Sequence, residues 1–166
     1  MSETSSDLLN RLTEENQELH KIDSPHLSLT KTFILKYHWI DNFFSSVKEK
    51  LKGKSKSFLL LSSEIVFFSN EEKTRFFACI AVDESCHDTV AAVVKDVDSC
   101  LNEFNLPTYY EEPSFHVSVL WKLTEFNHEE KAKISLEVGK LVEFQTFETE
   151  KISFKTGNKL MEICLS

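Results

Sequence analysis

Apolar and polar positions change period several times along the chain, and each change marks an element. Residues 113–121 alternate (P-S-F-H-V-S-V-L-W). Side chains two apart on a strand share a face, so Phe115, Val117, Val119 and Trp121 fall on one side and His116, Ser118 and Leu120 on the other. Residues 25–29 (P-H-L-S-L) repeat the layout, setting His26 and Ser28 against Leu27 and Leu29, and the pattern predicts a strand over 26–35. Helical spacing governs four other stretches. Leu8, Leu12 and Leu19 stripe 6–20, with Ser6 or Asp7 able to cap its start. Ile40, Phe43, Phe44, Val47 and Leu51 stripe 38–52, where Lys48, Lys50 and Lys52 suit the helix dipole and Gly53 ends the helix. Val90, Val93, Val94, Val97, Leu101 and Phe104 stripe 85–105, with Ser85 and Asp88 resembling a cap and Pro107 as the stop. Ile134, Val138 and Leu141 continue a helix from Asn127 and Glu130, weakened by Gly139.

The remaining apolar runs read as strands. Residues 57–68 and 75–82 flank the polar stretch 69–74 as a hairpin with a longer loop. Ser62-Ser63-Glu64 interrupts the first strand and predicts a bend or bulge there. Residues 144–155, beginning at Phe144, and 159–165 flank the turn Thr156-Gly157-Asn158. The order is α, then β-α-β-β-α, then β-α-β-β. Each His-Ser strand is followed by a helix and two strands, a coarse internal duplication. The two motifs stand 90 residues apart, which suits two similar lobes better than one local site. The expected class is α+β, with two pseudo-twofold lobes of antiparallel sheet flanked by helices and a central cleft. One domain is expected over 1–166: a helix at about 6–20, a first lobe at about 25–82 and a second at about 85–166.

Composition narrows the function. With 166 residues, 14 Phe and only three Gly and three Pro, the chain reads as one ordered globular domain with a sizeable core. The net charge of −8 argues against a broad nucleic-acid-binding surface but allows a local site that grips one or two nucleotides. No apolar run approaches the ~20 residues that span a bilayer. The polar, acidic N-terminus reads as no signal peptide. Cys79, Cys86, Cys100 and Cys164 form no C-x-x-C and read as reduced thiols of a nuclear or cytosolic protein.

Two imidazoles facing one substrate can accept a proton from a nucleophile and donate one to a leaving group. Cleavage of RNA needs both services, and serine hydroxyls beside the histidines can hold the phosphate oxygens. A neighbouring 2′-OH as nucleophile requires no metal. A Ser-His hydrolase fits less well, because no G-x-S-x-G elbow is present. A metal site drawing on His20, His38 or His128 is a less favoured alternative, and Cys86-His87 alone does not supply the clustered ligand spacing of a zinc site.

The two H-x-S motifs, His26-Leu27-Ser28-Leu29 and His116-Val117-Ser118-Val119, resemble those of the 2H phosphoesterase superfamily. The flanking text is more specific: Tyr37-His38-Trp39-Ile40, N-E-E-K-T-R from Asn70, E-F-N-L from Glu103, Tyr110 to Trp121, and Gly157-Asn158-Lys159 are similar to the U6 small nuclear RNA phosphodiesterase family. The likeness runs from about residue 26 to the C-terminus. It implies a nuclear, metal-independent 3′→5′ exoribonuclease without cofactor, monomeric and not membrane-bound. Its partner is an RNA 3′ end, the oligouridine tail of U6 snRNA, and its product end is a 2′,3′-cyclic phosphate that some members open to a 3′-phosphate. His26 and His116 would then be the acid/base pair, and Ser28 and Ser118 would hold the phosphate. Tyr110 would stack on the terminal base, and Leu27, Glu71, Ser114, Phe115 and Val117 would line the nucleotide. Two departures stand out: Glu71 occupies a place where the family typically has Gln, and the family's strand ahead of the first helix has no counterpart. Within the superfamily a 2′,3′-cyclic or 2′,5′-oligonucleotide phosphodiesterase remains open. So does an inactive nucleotide-binding relative.

Overall fold

A computed structural model describes residues 3–142 and 145–166. Phe144, where one expected strand begins, lies outside the described residues, as do Met1 and Ser2 of the polar N-terminus. Among the described residues the regular elements follow in order: α1 (Ser5–Glu15), β1 (His20–Lys21), α2 (Ile40–Lys50), β2 (Phe58–Ser69), β3 (Phe76–Val82), α3 (His87–Glu103), β4 (His116–Lys122), α4 (His128–Val142), β5 (Thr146–Glu148), β6 (Lys151–Thr156) and β7 (Lys159–Cys164). Single 3-10 turns at Tyr37–Trp39 and Glu84–Cys86 lead into α2 and α3. The chain forms two compact units, each from three separated segments. Unit 1 is Met1–Leu27, Leu60–Asp83 and Ser114–Thr146; unit 2 is Ser28–Leu59, Glu84–Pro113 and Phe147–Ser166. The expected lobes are consecutive in sequence, whereas these units interleave.

Unit 1 holds an antiparallel sheet in the order β1-β4-β3-β2. One face of the sheet is covered by α1 and α4. Leu8, Leu12, Leu19, Ile65, Ala78, Leu120, Ile134 and Val138 are among the buried side chains between them. Taking such side chains out of water stabilises the unit by roughly 1.5–3 kcal/mol each before entropy is counted. Thr4, not Ser6 or Asp7, caps α1: its hydroxyl accepts from the Asp7 N–H while the Asp7 carboxylate accepts from Thr4. The expected cap of α4 is present, Asn127 and Glu130 each accepting the other's backbone N–H at 2.8 and 3.0 Å. Gly139 has a packing reason, since a Cβ there would stand 2.8 Å from the Ser63 carbonyl oxygen. Ser63 lies in the bulge expected in β2, where the register with β3 shifts between Leu61 and Ile65.

Unit 2 packs α2 and α3 with the hairpin β6–β7. Phe43, Val47, Leu51, Val97, Leu101 and Ile163 form its core, with Phe33 and Leu35 packed against it. Phe43 meets Phe33, Phe104 and Phe154 at ring separations of 5.4–5.5 Å. The cap expected from Ser85 and Asp88 is replaced by the turn at Glu84–Cys86, with no side-chain cap at Cys86.

The strand expected over 26–35 does not form. Only Leu27 pairs, in an isolated antiparallel bridge with Val117. The reason lies in where β4 begins: running antiparallel from the Leu27–Val117 bridge, residues beyond 28 pass the start of β4 at His116, while the edge at 119–121 already carries β1 and Ile22. Little of the β4 edge is left for 26–29. Leu19 and His20, expected in the first helix, lie beyond its end at Glu15, and His20 opens β1.

Candidate active site

A bulge decides what β4 presents. Ala78 and Cys79 are consecutive on β3, yet they pair with Leu120 and Ser118, two apart on β4. Val119 is therefore an extra residue, and the alternation reverses beyond it. Leu120 turns into the core beside Ala78, fully buried. Trp121 pairs with Phe77, two residues from Cys79, and so takes the face of Ser118 and His116. The sequence pattern placed Leu120 with the histidine and Trp121 opposite; the bulge exchanges them.

On that face His116 is half-buried. Its Nδ1 lies 2.6 Å from the Ser114 carbonyl oxygen, and its ring stacks on Phe68 at 4.4 Å. His26, which is exposed, repeats the anchor: its Nδ1 lies 2.9 Å from the Ser24 carbonyl oxygen. A carbonyl only accepts, so in each neutral imidazole Nδ1–H donates and Nε2 keeps its lone pair for chemistry. The motif is thus longer than H-x-S. Ser24-Pro25-His26-Leu27-Ser28 and Ser114-Phe115-His116-Val117-Ser118 share a serine two residues ahead whose backbone fixes the ring. Ser24 was missed, although the repeated S-x-H-x-S spacing is visible in the sequence. Phe68 was missed because only the folded sheet brings it to His116.

Antiparallel geometry at the Leu27–Val117 bridge sets His26 opposite Ser118. The Ser118 hydroxyl is also 3.3 Å from the Cys79 thiol. Cys79 is fully buried, and burial pushes its thiol up to about 11, with the Ser118 hydrogen bond opposing, so at neutral pH it is an S–H able to donate. Both histidines, Leu27, Ser114, Phe115, Val117, Ser118 and Glu71 belong to unit 1. Phe115 is buried and its carbonyl accepts from Val82; Ser114 and Glu71 are exposed. Ser28, also exposed, is the first residue of unit 2, which also carries Tyr110. Tyr110 is 51% exposed, under the Lys31 ammonium at 4.5 Å and edge-on to Tyr109. Among the described residues no group of three or more His, Cys, Asp or Glu side chains is placed to hold a metal ion, and no helix is long and apolar enough to cross a membrane.

A family model described as HVSL, uncharacterised conserved protein, matches residues 2–164. The U6 snRNA phosphodiesterase 1 of Xenopus laevis is 36% identical over 164 residues, covering 92% of this chain and 65% of that protein. The Homo sapiens protein of the same name is 31% identical over 147 residues, covering 84% and 55%. The chain thus spans less than two thirds of the length of these curated relatives. Among solved structures, Kluyveromyces marxianus Usb1 matches with a TM-score of 0.66 at 13% identity, covering 94% of this chain and 86% of that one. The same protein with uridine monophosphate matches at 0.63 and 12% identity, covering 95% and 87%. At that identity the likeness bears on the fold alone, and it supports the α+β architecture expected from the sequence.

Proposed function

The chain belongs to the HVSL family, and on that premise we propose that it is an RNA phosphodiesterase that shortens the oligouridine 3′ tail of U6 snRNA in the nucleus. The observation that carries this reading is the matched pair of imidazoles, each held at Nδ1 by a carbonyl two residues upstream. The fixed tautomer leaves both Nε2 atoms to exchange protons with substrate. His26 Nε2 removes the proton of the penultimate 2′-OH, and the 2′-oxygen attacks phosphorus. The P–O5′ bond breaks, and protonated His116 gives its Nε2 proton to the departing 5′-oxygen. The products are a free terminal nucleoside and an RNA ending in 2′,3′-cyclic phosphate. The proton taken by His26 and the proton lost by His116 balance, and the resting state returns through water. Ser118 and Ser28 donate to the phosphate oxygens, and Tyr110 offers a face to a base of the strand. No step requires a metal, and the reading takes the protein as a monomer. The names of the curated relatives and the uridine monophosphate of the Usb1 structure agree in substrate class.

The test is cleavage of an RNA ending in oligouridine, in EDTA, with product ends resolved by mass. Stepwise loss of 3′ uridines is expected, together with loss of activity in His26→Ala and His116→Ala. Activity that disappears with EDTA, survives both substitutions, or is confined to 2′,5′ linkages would overturn the reading.

A further inference from the structure

Trp121, brought to the face of His116 and Ser118 by the bulge, lies between two other side chains. His20, its partner across β1–β4, stacks on its ring at 4.4 Å and 27°. On the β3 side, the Arg75 guanidinium lies over the ring at 4.6 Å. A guanidinium lying on an aromatic ring keeps its in-plane N–H donors directed outward, the geometry that grips a phosphate with two hydrogen bonds. The backbone of Arg75 is fixed as well. Asn70 Oδ1 accepts the N–H groups of Thr74 and Arg75 at 2.9 and 3.0 Å, Asn70 Nδ2 donates to the Thr74 hydroxyl, and Asn70 N–H donates to the Arg75 carbonyl. The other arginine of the chain, Arg11, is spent on Glu3, Glu15 and Glu137. Arg75 is exposed and has no carboxylate partner among the described residues. In a chain of net charge −8, an oriented, unneutralised cation on the face of the proposed catalytic histidine is a local attraction for an anion.

We propose that Arg75, held by the Trp121–His20 stack and the Asn70 loop, is a second phosphate-binding subsite for the RNA strand, distinct from the scissile phosphate. This rests on the phosphodiesterase reading above. Trp121 stands five residues from His116 on the same strand, roughly 15 Å at the usual rise. One nucleotide does not span that distance; a longer strand does. The subsite therefore acts on substrate length and on binding, not on the bond-breaking step. Its ligand is the backbone of single-stranded RNA, so it is indifferent to the base.

The experiment compares wild type, Arg75→Ala, Arg75→Lys and Trp121→Leu on an eight-residue oligouridine and on the dinucleotide UpU. Binding is measured separately with a fully 2′-O-methylated octamer, which lacks the nucleophile and stays intact. Arg75→Ala should raise the octamer KM about tenfold at unchanged kcat, leave UpU unchanged, and reduce the salt slope of octamer binding by about 0.7, the share of one phosphate on a single strand. Arg75→Lys should restore the salt slope but only part of the affinity, and Trp121→Leu should weaken octamer binding with the charge intact. An octamer KM and salt slope equal to wild type in Arg75→Ala overturn the subsite while leaving the phosphodiesterase reading in place. A wild-type protein that neither binds nor cleaves either RNA overturns both.

Discussion

Leu27 and Val117 form one antiparallel bridge, and that bridge supplies the ladder pairing found in the segment around His26. His116, by contrast, opens a seven-residue strand paired with β3 along its length. The two proposed catalytic rings share one anchoring geometry on backbones with different amounts of ladder pairing. Local opening is easiest where ladder hydrogen bonds are few, so amide exchange at 26–29 is expected to be much faster than at 117–122. Saturating uridine monophosphate should slow it. Equal protection of both segments in the free protein, measured by hydrogen exchange and mass spectrometry, would contradict this.

The Nδ1 anchors predict an informative substitution. Asparagine at position 116 places an N–H near the position of Nδ1 and can keep the bond to the Ser114 carbonyl, but it has nothing at Nε2. His116→Asn should therefore lower kcat by about 10²–10⁴ while changing stability by less than about 1 kcal/mol. A single-turnover assay beside a urea melt separates the two effects. A variant with wild-type kcat would remove His116 from the chemistry.

Cys79 and Ser118 make a second pair with a measurable state. With its thiol pushed up to about 11 by burial, Cys79 should resist iodoacetamide in the folded protein at pH 8, whereas exposed Cys164 should react. Alkylation requires the thiolate. The sign follows directly: a raised thiol stays neutral below its own value, so raising pH from 7 to 9 should not expose it. Cys79→Ala removes the thiol beside Ser118 and leaves a small cavity. It should lower stability by about 1 kcal/mol and weaken phosphate binding severalfold. Mass-mapped labelling that finds Cys79 modified as fast as Cys164 would defeat the assignment.

Much of this was legible from period and spacing. The stripes of Val90–Val94–Leu101 and Ile40–Phe43–Val47 became helices because their apolar faces had a core to meet, and Asn127 with Glu130 capped α4 as their spacing required. The His-Ser alternation was legible locally, but its meaning depended on register. Nothing in H-V-S-V-L-W announces that Val119 is an extra residue against Ala78 and Cys79, and that single insertion moved Trp121 to the site and Leu120 away from it. The strand expected from His26 failed for a similarly non-local reason: β4 begins at His116, so past the Leu27–Val117 bridge the segment has no strand edge left to pair with. Phe68 and Arg75 reach the site only through sheet pairing, which short-range pattern cannot specify.

Tyr110 exposes half its surface beneath the Lys31 ammonium. If it offers its ring to a base, Tyr110→Ala should raise KM for oligouridine by an amount equivalent to about 1–3 kcal/mol, with kcat less affected, and Tyr110→Phe should stay near wild type. A KM unchanged in Tyr110→Ala would leave the ring as surface. The hydroxyl is not needed for stacking, so a loss in Tyr110→Phe as large as in Tyr110→Ala would also exclude this role.

Lys122 and Glu130 anchor the other side of β4. Lys122 is 3% exposed, and its ammonium donates to both carboxylate oxygens of Glu130 at 2.7 and 2.8 Å. Asn16 and the Asn127 N–H add two further donors to that carboxylate. Burial works against ionisation of Glu130, but the Lys122 and Asn127 hydrogen bonds outweigh it and hold the carboxyl below the usual carboxylate range. The partners are not equivalent. Glu130→Gln leaves a buried ammonium without its counter-charge and should destabilise by about 3 kcal/mol. Lys122→Met leaves a carboxylate that keeps Asn16, Asn127 and some water, and should cost less. Because the folded-state value of Glu130 is depressed, its contribution is present above the unfolded value near pH 4 and is lost as pH falls through the folded value. In urea unfolding, the gap between wild type and Glu130→Gln should therefore be wide at pH 7 and narrow toward pH 3. A gap that is the same at both pH values would show that the pair's ionisation contributes nothing to holding α4 against β4.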